Sequence, residues 1–192
     1  MKKDGRIFSL LALLLTTVLV IAAIPTEAEA AIYEDTVRLH IRARSDSDSD
    51  QKIKLEIRDR ILSKYAESPT PCNKTEAEEQ LFERLDEIKR DVDGWLAEMD
   101  CEYGCEVRLE EEWFDTRDYG EYSLPAGRYT SLIIELGGGE GQNWWCVMYP
   151  PMCRDVATGG SVAYTSEETL LIYGGKYAMK FKLLELAASL AK

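Results

Sequence analysis

The chain has 192 residues and carries 23 Lys and Arg against 35 Asp and Glu, which gives a net charge of −12. This length suits one domain or two very small ones, and a hydrophobic share of 45% is enough for a packed core. The acidic balance argues against a protein that binds nucleic acid by neutralising phosphates, and against docking onto an anionic membrane surface. We therefore expect a folded, acidic protein with no nucleic-acid partner.

The first thirty residues have the layout of a secretory signal peptide. Basic residues within positions 1–6 precede an apolar run at 7–24, and residues 28–30 offer the small side chains that signal peptidase recognises. The alternative is an uncleaved membrane anchor, because a run of about 18 apolar residues reaches the length of a span. In either case residues 31–192 are expected to function outside the cytoplasm, as a single secreted domain.

The first half of this domain is predicted to contain one strand and two helices. Residues 36–44 alternate between apolar and mostly basic side chains, which predicts a half-buried strand with a basic outer face. An amphipathic helix is predicted at 50–67. A second helix is predicted to begin at Thr75, with Glu78 completing a capping box, and its apolar stripe continues to Met99.

After Gly104 the hydrophobic pattern changes to period two. The predicted elements are strands at 105–110, 119–124, 129–136 and 144–149, a glycine-rich loop at 137–143, a loop or flap at 155–175, and a helix at 177–192. The resulting order β-α-α-β-β-β-β-α predicts a single α+β domain. Its antiparallel sheet is expected to be covered on one side by helices.

The chain contains five cysteines, and export would permit disulfides. Local disulfides would pair Cys101 with Cys105 and Cys146 with Cys153, and free buried thiols are the alternative. The spacing within the second pair is wider than structural zinc sites favour. We expect no metal ion and no other cofactor.

Several motifs resemble functional sites but lack an essential part. The acidic stretch at 46–50 lacks the Gly and Glu of a calcium-binding loop, so it is interpreted as a helix cap. The single histidine, His40, is accompanied by no nucleophile motif, and we expect no catalytic residues. Trp144 and Trp145 are neighbours on a predicted strand, so only one of them can face inward. The other would suit contact with a partner or a sugar, unless packing buries both.

Four segments resemble the signatures of the stage II sporulation protein R family. They are Arg38-Leu39-His40 with Ala43, Ser45-Asp46-Ser47, Asp50-Gln51, Lys54 and Arg58-Asp59; Phe114-Asp115-Thr116-Arg117-Asp118-Tyr119-Gly120; Leu124-Pro125-Ala126-Gly127-Arg128-Tyr129; and Asn143-Trp144-Trp145-Cys146-Val147 with Pro150-Pro151-Met152-Cys153. The last segment is the most distinctive of the four. Phe181-Lys182-Leu183-Leu184-Glu185 also resembles the family. The chain departs from the family pattern at Arg44, where Asn is usual, and at Asp115, where Pro is usual.

The resemblance implies a sporulation signal and not an enzyme. Members of this family are secreted from the forespore into the space between the two spore membranes. There they activate a membrane-bound aspartic protease that processes the sigma-E precursor. For this chain the resemblance implies that protease as partner and no small-molecule substrate. Contact with the membrane would occur only through the partner or an uncleaved signal.

Residues that contact the partner are predicted at Asn143, Trp144 and Trp145, with Arg117 and Tyr119 as a second set. Two other functions stay open at this point. One is a secreted hydrolase of peptide or cell wall that uses carboxylates such as Glu140. The other is a sugar-binding module that uses the tryptophans.

Overall fold

A computed structural model of the chain describes residues 2–23, 27–65, 71–119 and 123–150. The predicted loop at 155–175, the predicted helix at 177–192 and Cys153 lie outside these residues. The described elements are α1 (Lys2–Ala23), α2 (Glu27–Glu34), β1 (Val37–Arg42), α3 (Asp48–Tyr65), α4 (Lys74–Glu83), α5 (Leu85–Glu98), β2 (Cys105–Phe114), β3 (Arg117–Asp118), β4 (Ser123–Leu124), β5 (Gly127–Leu136) and β6 (Asn143–Tyr149).

The chain divides into two compact units. Among the described residues, the first unit contains α1 and the short strands β3 and β4, which pair antiparallel with Arg117 opposite Leu124. Several apolar side chains of α1 are exposed, Leu10 and Leu14 among them. No helix in the described ranges is long and apolar enough to cross a membrane.

The second unit contains a four-stranded sheet in the order β2-β5-β1-β6. β5 pairs antiparallel with β2 and parallel with β1, and β1 pairs antiparallel with β6. The predicted α+β class with helices on one side is confirmed. The prediction of a wholly antiparallel sheet is wrong, because β1 pairs in parallel with β5. Between these two strands the chain passes through three helices and the edge strand β2.

The core lies between the sheet and three helices, α3, α4 and α5. Val37, Leu39 and Ile41 of β1 are fully buried on the helical side, as the alternation predicted. The helices contribute buried residues at helical spacing: Ile57 and Ile61 from α3, Leu81 from α4, and Ile88, Val92 and Leu96 from α5. Each such side chain contributes about 1.5–3 kcal/mol through removal from water.

The second predicted helix is two helices. Arg84 leaves the helical conformation at φ −102°, ψ 5°, so α4 ends before it and α5 begins after it. The start also differs, since the side chain of Asn73 accepts a hydrogen bond from the Glu76 amide at 2.9 Å and caps α4. The break lets each helix direct its own apolar stripe at the sheet.

The interpretation of the acidic stretch before α3 as a helix cap is confirmed. The hydroxyl of Ser47 accepts a hydrogen bond from the Asp50 amide at 3.2 Å, and its carbonyl accepts one from the Gln51 amide at 3.0 Å. Asp46 accepts a hydrogen bond from the backbone amide of Gln142 at 2.7 Å, which ties the loop before β6 to the start of the helix.

The cysteines divide into two groups. Cys72, Cys101 and Cys105 are free thiols. The disulfide considered between Cys101 and Cys105 is therefore not formed, and the alternative of free thiols is correct for this pair. Cys146 is disulfide-bonded.

Candidate functional site

The candidate site lies on the face of the sheet opposite the helices. Alternation along β1 directs Arg38, His40 and Arg42 to this face, as predicted. The prediction that this basic face is exposed is wrong, because Arg38 is 0% and His40 is 2% exposed. β1 lies between two other strands, and charged side chains from neighbouring strands cover it.

His40 is held at both ring nitrogens. Its Nδ1 lies 2.6 Å from Oε2 of Glu112, and its Nε2 lies 3.0 Å from Oδ1 of Asn143. A carboxylate can only accept, so Nδ1 carries the proton of the first bond. The ring also stacks on the indole of Trp145, with the ring centroids 5.2 Å apart. The imidazole is therefore fixed in position and in orientation.

Two glutamates neutralise the basic side chains around His40. Glu112 also accepts from Nη2 of Arg42 at 2.7 Å, so one carboxylate joins the histidine to the arginine. Glu135 accepts from Nη1 of Arg42 at 2.6 Å and from both terminal nitrogens of Arg108 at 2.7 and 3.0 Å. The result is a continuous ionic network across β2, β5 and β1.

This network lowers the pKa of both carboxyl groups. Burial alone would raise the pKa of Glu112, but hydrogen bonds and charges from His40 and Arg42 outweigh it and hold the pKa below its ordinary value. The hydrogen bonds from Arg108 are the largest cause of the lowered pKa of Glu135. Both groups are therefore held as carboxylates near neutral pH.

Arg38 occupies an aromatic enclosure beside the network. Its guanidinium carbon lies 4.3 Å from the ring centre of Phe114 and 4.9 Å from that of Tyr129, and its Nε donates to the Cys146 carbonyl at 3.1 Å. The planar guanidinium suits such contacts because it can lie against rings and donate in its own plane. Arg38 thus links β1 to β6 beside the disulfide-bonded cysteine.

The predicted site residues of β6 divide between the two faces of the sheet. Trp145 packs on His40, and Asn143 bonds to it. Trp144 faces the helices, with the guanidinium carbon of Arg58 4.4 Å above its ring centre. Both tryptophans are half-buried, so the prediction that they face opposite ways is confirmed and neither is fully exposed.

The second predicted set lies in the other unit. Arg117 is part of β3, and Tyr119 follows that strand as a half-buried residue. Glu140, considered above for a hydrolase, is exposed in the loop before β6.

The surroundings of His40 favour a fixed structural position for its ring over a role as a general base. A histidine that acts as a general base needs an unoccupied ring nitrogen within hydrogen-bonding reach of a substrate proton. Both nitrogens of His40 already have partners, and Trp145 covers one face of the ring.

Sequence reasoning missed Glu112 and Glu135. Glu112 is 72 residues from His40 in sequence, and Glu135 is 93 residues from Arg42. A signal was nevertheless present, since β2 places Glu106, Glu110 and Glu112 beside Arg108 on one face. That face is mostly acidic, whereas the corresponding face of β1 is basic. Buried charges of one sign require partners of the other.

The chain matches known proteins over most of its described part. A family model described as stage II sporulation protein R matches residues 33–158. The stage II sporulation protein R of Bacillus subtilis (strain 168) is 34% identical over 135 residues, which cover 68% of this chain and 59% of that relative. The chain therefore spans less than two thirds of the relative's length. No solved structure matches the chain. Residues 33–158 include the whole ionic network, and the chain belongs to the stage II sporulation protein R family.

Proposed function

We propose that this chain is an exported sporulation signal that activates a membrane-bound aspartic protease. That protease would process the sigma-E precursor, and the signal would act from the space between the forespore and mother-cell membranes. Membership of the family supports a role in sporulation. The secretory layout of the first thirty residues supports export. The engaged nitrogens of His40 support a binding role over an enzymatic one.

One observation carries the choice of contact surface. Two segments that resemble the family lie far apart in sequence and pair as β1 and β6, with His40 opposite Trp145. Asn143 and Trp145 are held by His40, and Trp144 is held by Arg58. A surface that is already ordered loses little conformational entropy on binding, which favours tight association.

Trp144 adds a donor on the helical side of β6. Its indole nitrogen is buried and has no hydrogen-bond acceptor among the described residues. Such a donor costs about 1–3 kcal/mol until it is paired. If Arg58 moved aside, a carbonyl of the protease would accept a hydrogen bond from this indole nitrogen. That hydrogen bond would add to the free energy of binding.

Activation requires that the chain bind the active state of the protease more tightly than the inactive state. A shift from about 1% to about 99% active needs roughly 5.5 kcal/mol of differential binding. Aromatic hot spots at an interface contribute about 2–4 kcal/mol each. Because Trp144 and Trp145 lie on opposite faces of β6, the active state would have to supply this difference through contacts at one of them together with charged groups nearby.

The function is tested by co-expression in a non-sporulating bacterial host. The host would carry this chain, the membrane-bound protease and the sigma-E precursor, and precursor cleavage would be followed on a gel. We expect cleavage only when this chain is present and exported. Absence of cleavage with all three proteins present, and this chain exported, would contradict the proposal.

The contact surface is tested in the same host with single substitutions. Trp144→Ala and Asn143→Ala are expected to abolish cleavage, while Gln142→Ala, at the exposed residue just before β6, should leave it unchanged. Thermal melting and circular dichroism would show that each variant is folded. Cleavage at the normal rate with both Trp144→Ala and Trp145→Ala would exclude this surface.

The second predicted set is tested by Arg117→Ala and Tyr119→Ala. We expect a smaller loss of cleavage than at Trp144, because we propose this set as a secondary contact. Unchanged cleavage with both variants would remove the first unit from the contact surface.

A further inference from the structure

A groove lies between α4 and the edge of the sheet, away from the ionic network. Its volume is about 370 Å³, and its lining residues are Glu78, Glu79, Phe82, Leu109, Glu110, Glu111 and Thr130. We call this feature the α4–β2 groove. Four of the seven lining residues are glutamates and none is basic, so the groove combines an apolar floor with acidic sides.

One large aromatic side chain is exposed in this groove, and a second is exposed two residues further along β2. Phe82 on α4 is 67% exposed, although it follows Leu81, which faces the core. Trp113 is 48% exposed and points to the same side of β2 as Leu109 and Glu111, one alternation beyond the groove. Exposed aromatic residues beside a concave surface are typical of interaction sites.

The groove adjoins an open strand edge. β2 pairs with β5 from Cys105 to Phe114, and no second strand pairs with its outer edge among the described residues. Half of the backbone amides and carbonyls of such a strand point outward and can pair with an added strand. An extended segment on this edge could place alternate side chains into the groove.

The charges select the kind of segment that fits. A second copy of β2 would place glutamates beside glutamates, because Glu110, Glu111 and Glu112 are consecutive, and like charges on adjacent strands repel. The chain also has a net charge of −12. A cationic segment is favoured on both counts.

The glutamates of the groove are available to such a segment. Glu111 lies 3.8 Å from Arg128, and both side chains are about two-thirds or more exposed. Glu78 lies 3.4 Å from Lys74, and Glu79 has no ion-pair partner in the described part of the chain. The exposed Glu111–Arg128 pair contributes little and exchanges readily for an incoming base, whereas the Glu78–Lys74 pair is partly buried.

We propose that the α4–β2 groove and the outer edge of β2 bind an extended, cationic segment of a partner protein. An aromatic or aliphatic side chain of that segment occupies the space between Phe82 and Leu109, and its basic side chains pair with Glu79 and Glu111. This surface goes beyond the proposed function, because it depends on no particular partner and uses none of the β6 residues.

The test is a binding titration of the chain as a bacterial host exports it. The probe is a fluorescein-labelled peptide that alternates Lys and Val around a central Phe, and its matched control carries Glu at every Lys position. We expect anisotropy to rise with the lysine peptide alone. Binding should weaken at least tenfold when the salt is raised from about 50 mM to about 300 mM.

Two variants separate the groove from general charge attraction. Phe82→Ala and the double variant Glu79→Gln/Glu111→Gln should each weaken binding about tenfold or more. The matched double variant Glu98→Gln/Glu102→Gln makes the same change in net charge at exposed residues outside the groove, and it should bind normally. Equal losses in the two double variants would overturn the proposal.

Two further measurements test pairing on the β2 edge and self-association of the chain. A lysine peptide with alternate backbone amides methylated should fail to bind, and binding equal to that of the parent peptide would exclude pairing on the β2 edge. Sedimentation should show a monomer at the concentrations used. A dimer that Phe82→Ala dissociates would assign the groove to a second copy and overturn the cationic partner.

Discussion

Nδ1 of His40 lies 2.6 Å from a carboxylate oxygen of Glu112, on the face of the sheet opposite the helices. The other oxygen of that carboxylate lies 2.7 Å from Arg42. This shared carboxylate explains how the strand at the centre of the sheet can bury basic side chains. The second face of the sheet is held together by charges, whereas the helical face is held together by apolar packing.

Glu112→Gln is expected to destabilise the fold. The substitution keeps the shape of the side chain but removes the charge that His40 and Arg42 share, so the loss should be about 1–3 kcal/mol in the free energy of unfolding. Urea unfolding measures it. Glu110→Gln on the same strand is the control, because that side chain is 59% exposed and should change stability by no more than about 0.5 kcal/mol. Equal urea midpoints for the wild type and Glu112→Gln would contradict this account.

Stability should fall as the pH drops below the ordinary carboxyl pKa of 4.5. The pKa values of Glu112 and Glu135 are lowered in the folded state, so the unfolded chain binds more protons in this range. Their contribution is complete above about pH 5 and is lost as the pH falls toward the folded-state pKa values. Urea midpoints measured down to about pH 3 should fall less steeply for Glu112→Gln than for the wild type. A steeper fall for the variant would contradict the sign.

Two glycines should respond in opposite ways to alanine. A Cβ at Gly141 would lie 2.3 Å from the backbone oxygen of Ser45, so Gly141→Ala must displace the backbone and should cost at least about 2 kcal/mol. A Cβ at Gly94 in α5 meets nothing within 4 Å, so Gly94→Ala should stabilise the fold by about 0.5–1 kcal/mol. Thermal melting of the two variants measures both effects. A lower melting temperature for Gly94→Ala would contradict the prediction for α5.

The three free thiols should react at different rates. Burial is the largest cause that raises the pKa of the Cys105 thiol to about 12, so this group is neutral and enclosed at pH 8. Cys72 is exposed and should react first with a thiol reagent, and Cys101 should follow. Cys105 should react only after unfolding in urea. Mass spectrometry of alkylated peptides identifies each site, and alkylation of Cys105 in the native protein would contradict its burial.

Local patterns predicted local structure well and long-range pairing poorly. The alternation at 36–44 correctly predicted a half-apolar strand, whose Leu39 and Ile41 lie in the core, and the amphipathic helix predicted at 50–67 buries Ile57 and Ile61. Nothing within β1 indicates that β5 pairs with it in parallel, because that arrangement depends on the path of the intervening chain.

The candidate site was only half predictable for the same reason. Asn143 and Trp145 were identified from a distinctive segment, but the residues that hold them come from strands elsewhere in the sequence. A basic outer face is the natural interpretation of one isolated strand. In the folded sheet this face is buried, because Glu112 pairs with His40 and Glu135 pairs with Arg42. These ion pairs can be recognised only when the order of the strands is known.

The central position of β1 imposes an order of events on folding. β1 is synthesised early, yet both of its partners come much later, and His40 and Asn143 are 103 residues apart. Most of the entropy of loop closure must therefore be lost before the sheet gains its stability, which makes folding slow compared with that of a helical bundle. A nascent chain that lacks residues 143–149 cannot complete the sheet. Until those residues are made, one edge of β1 has no β6 partner, so the fold is closed by one of the last strands of the described chain.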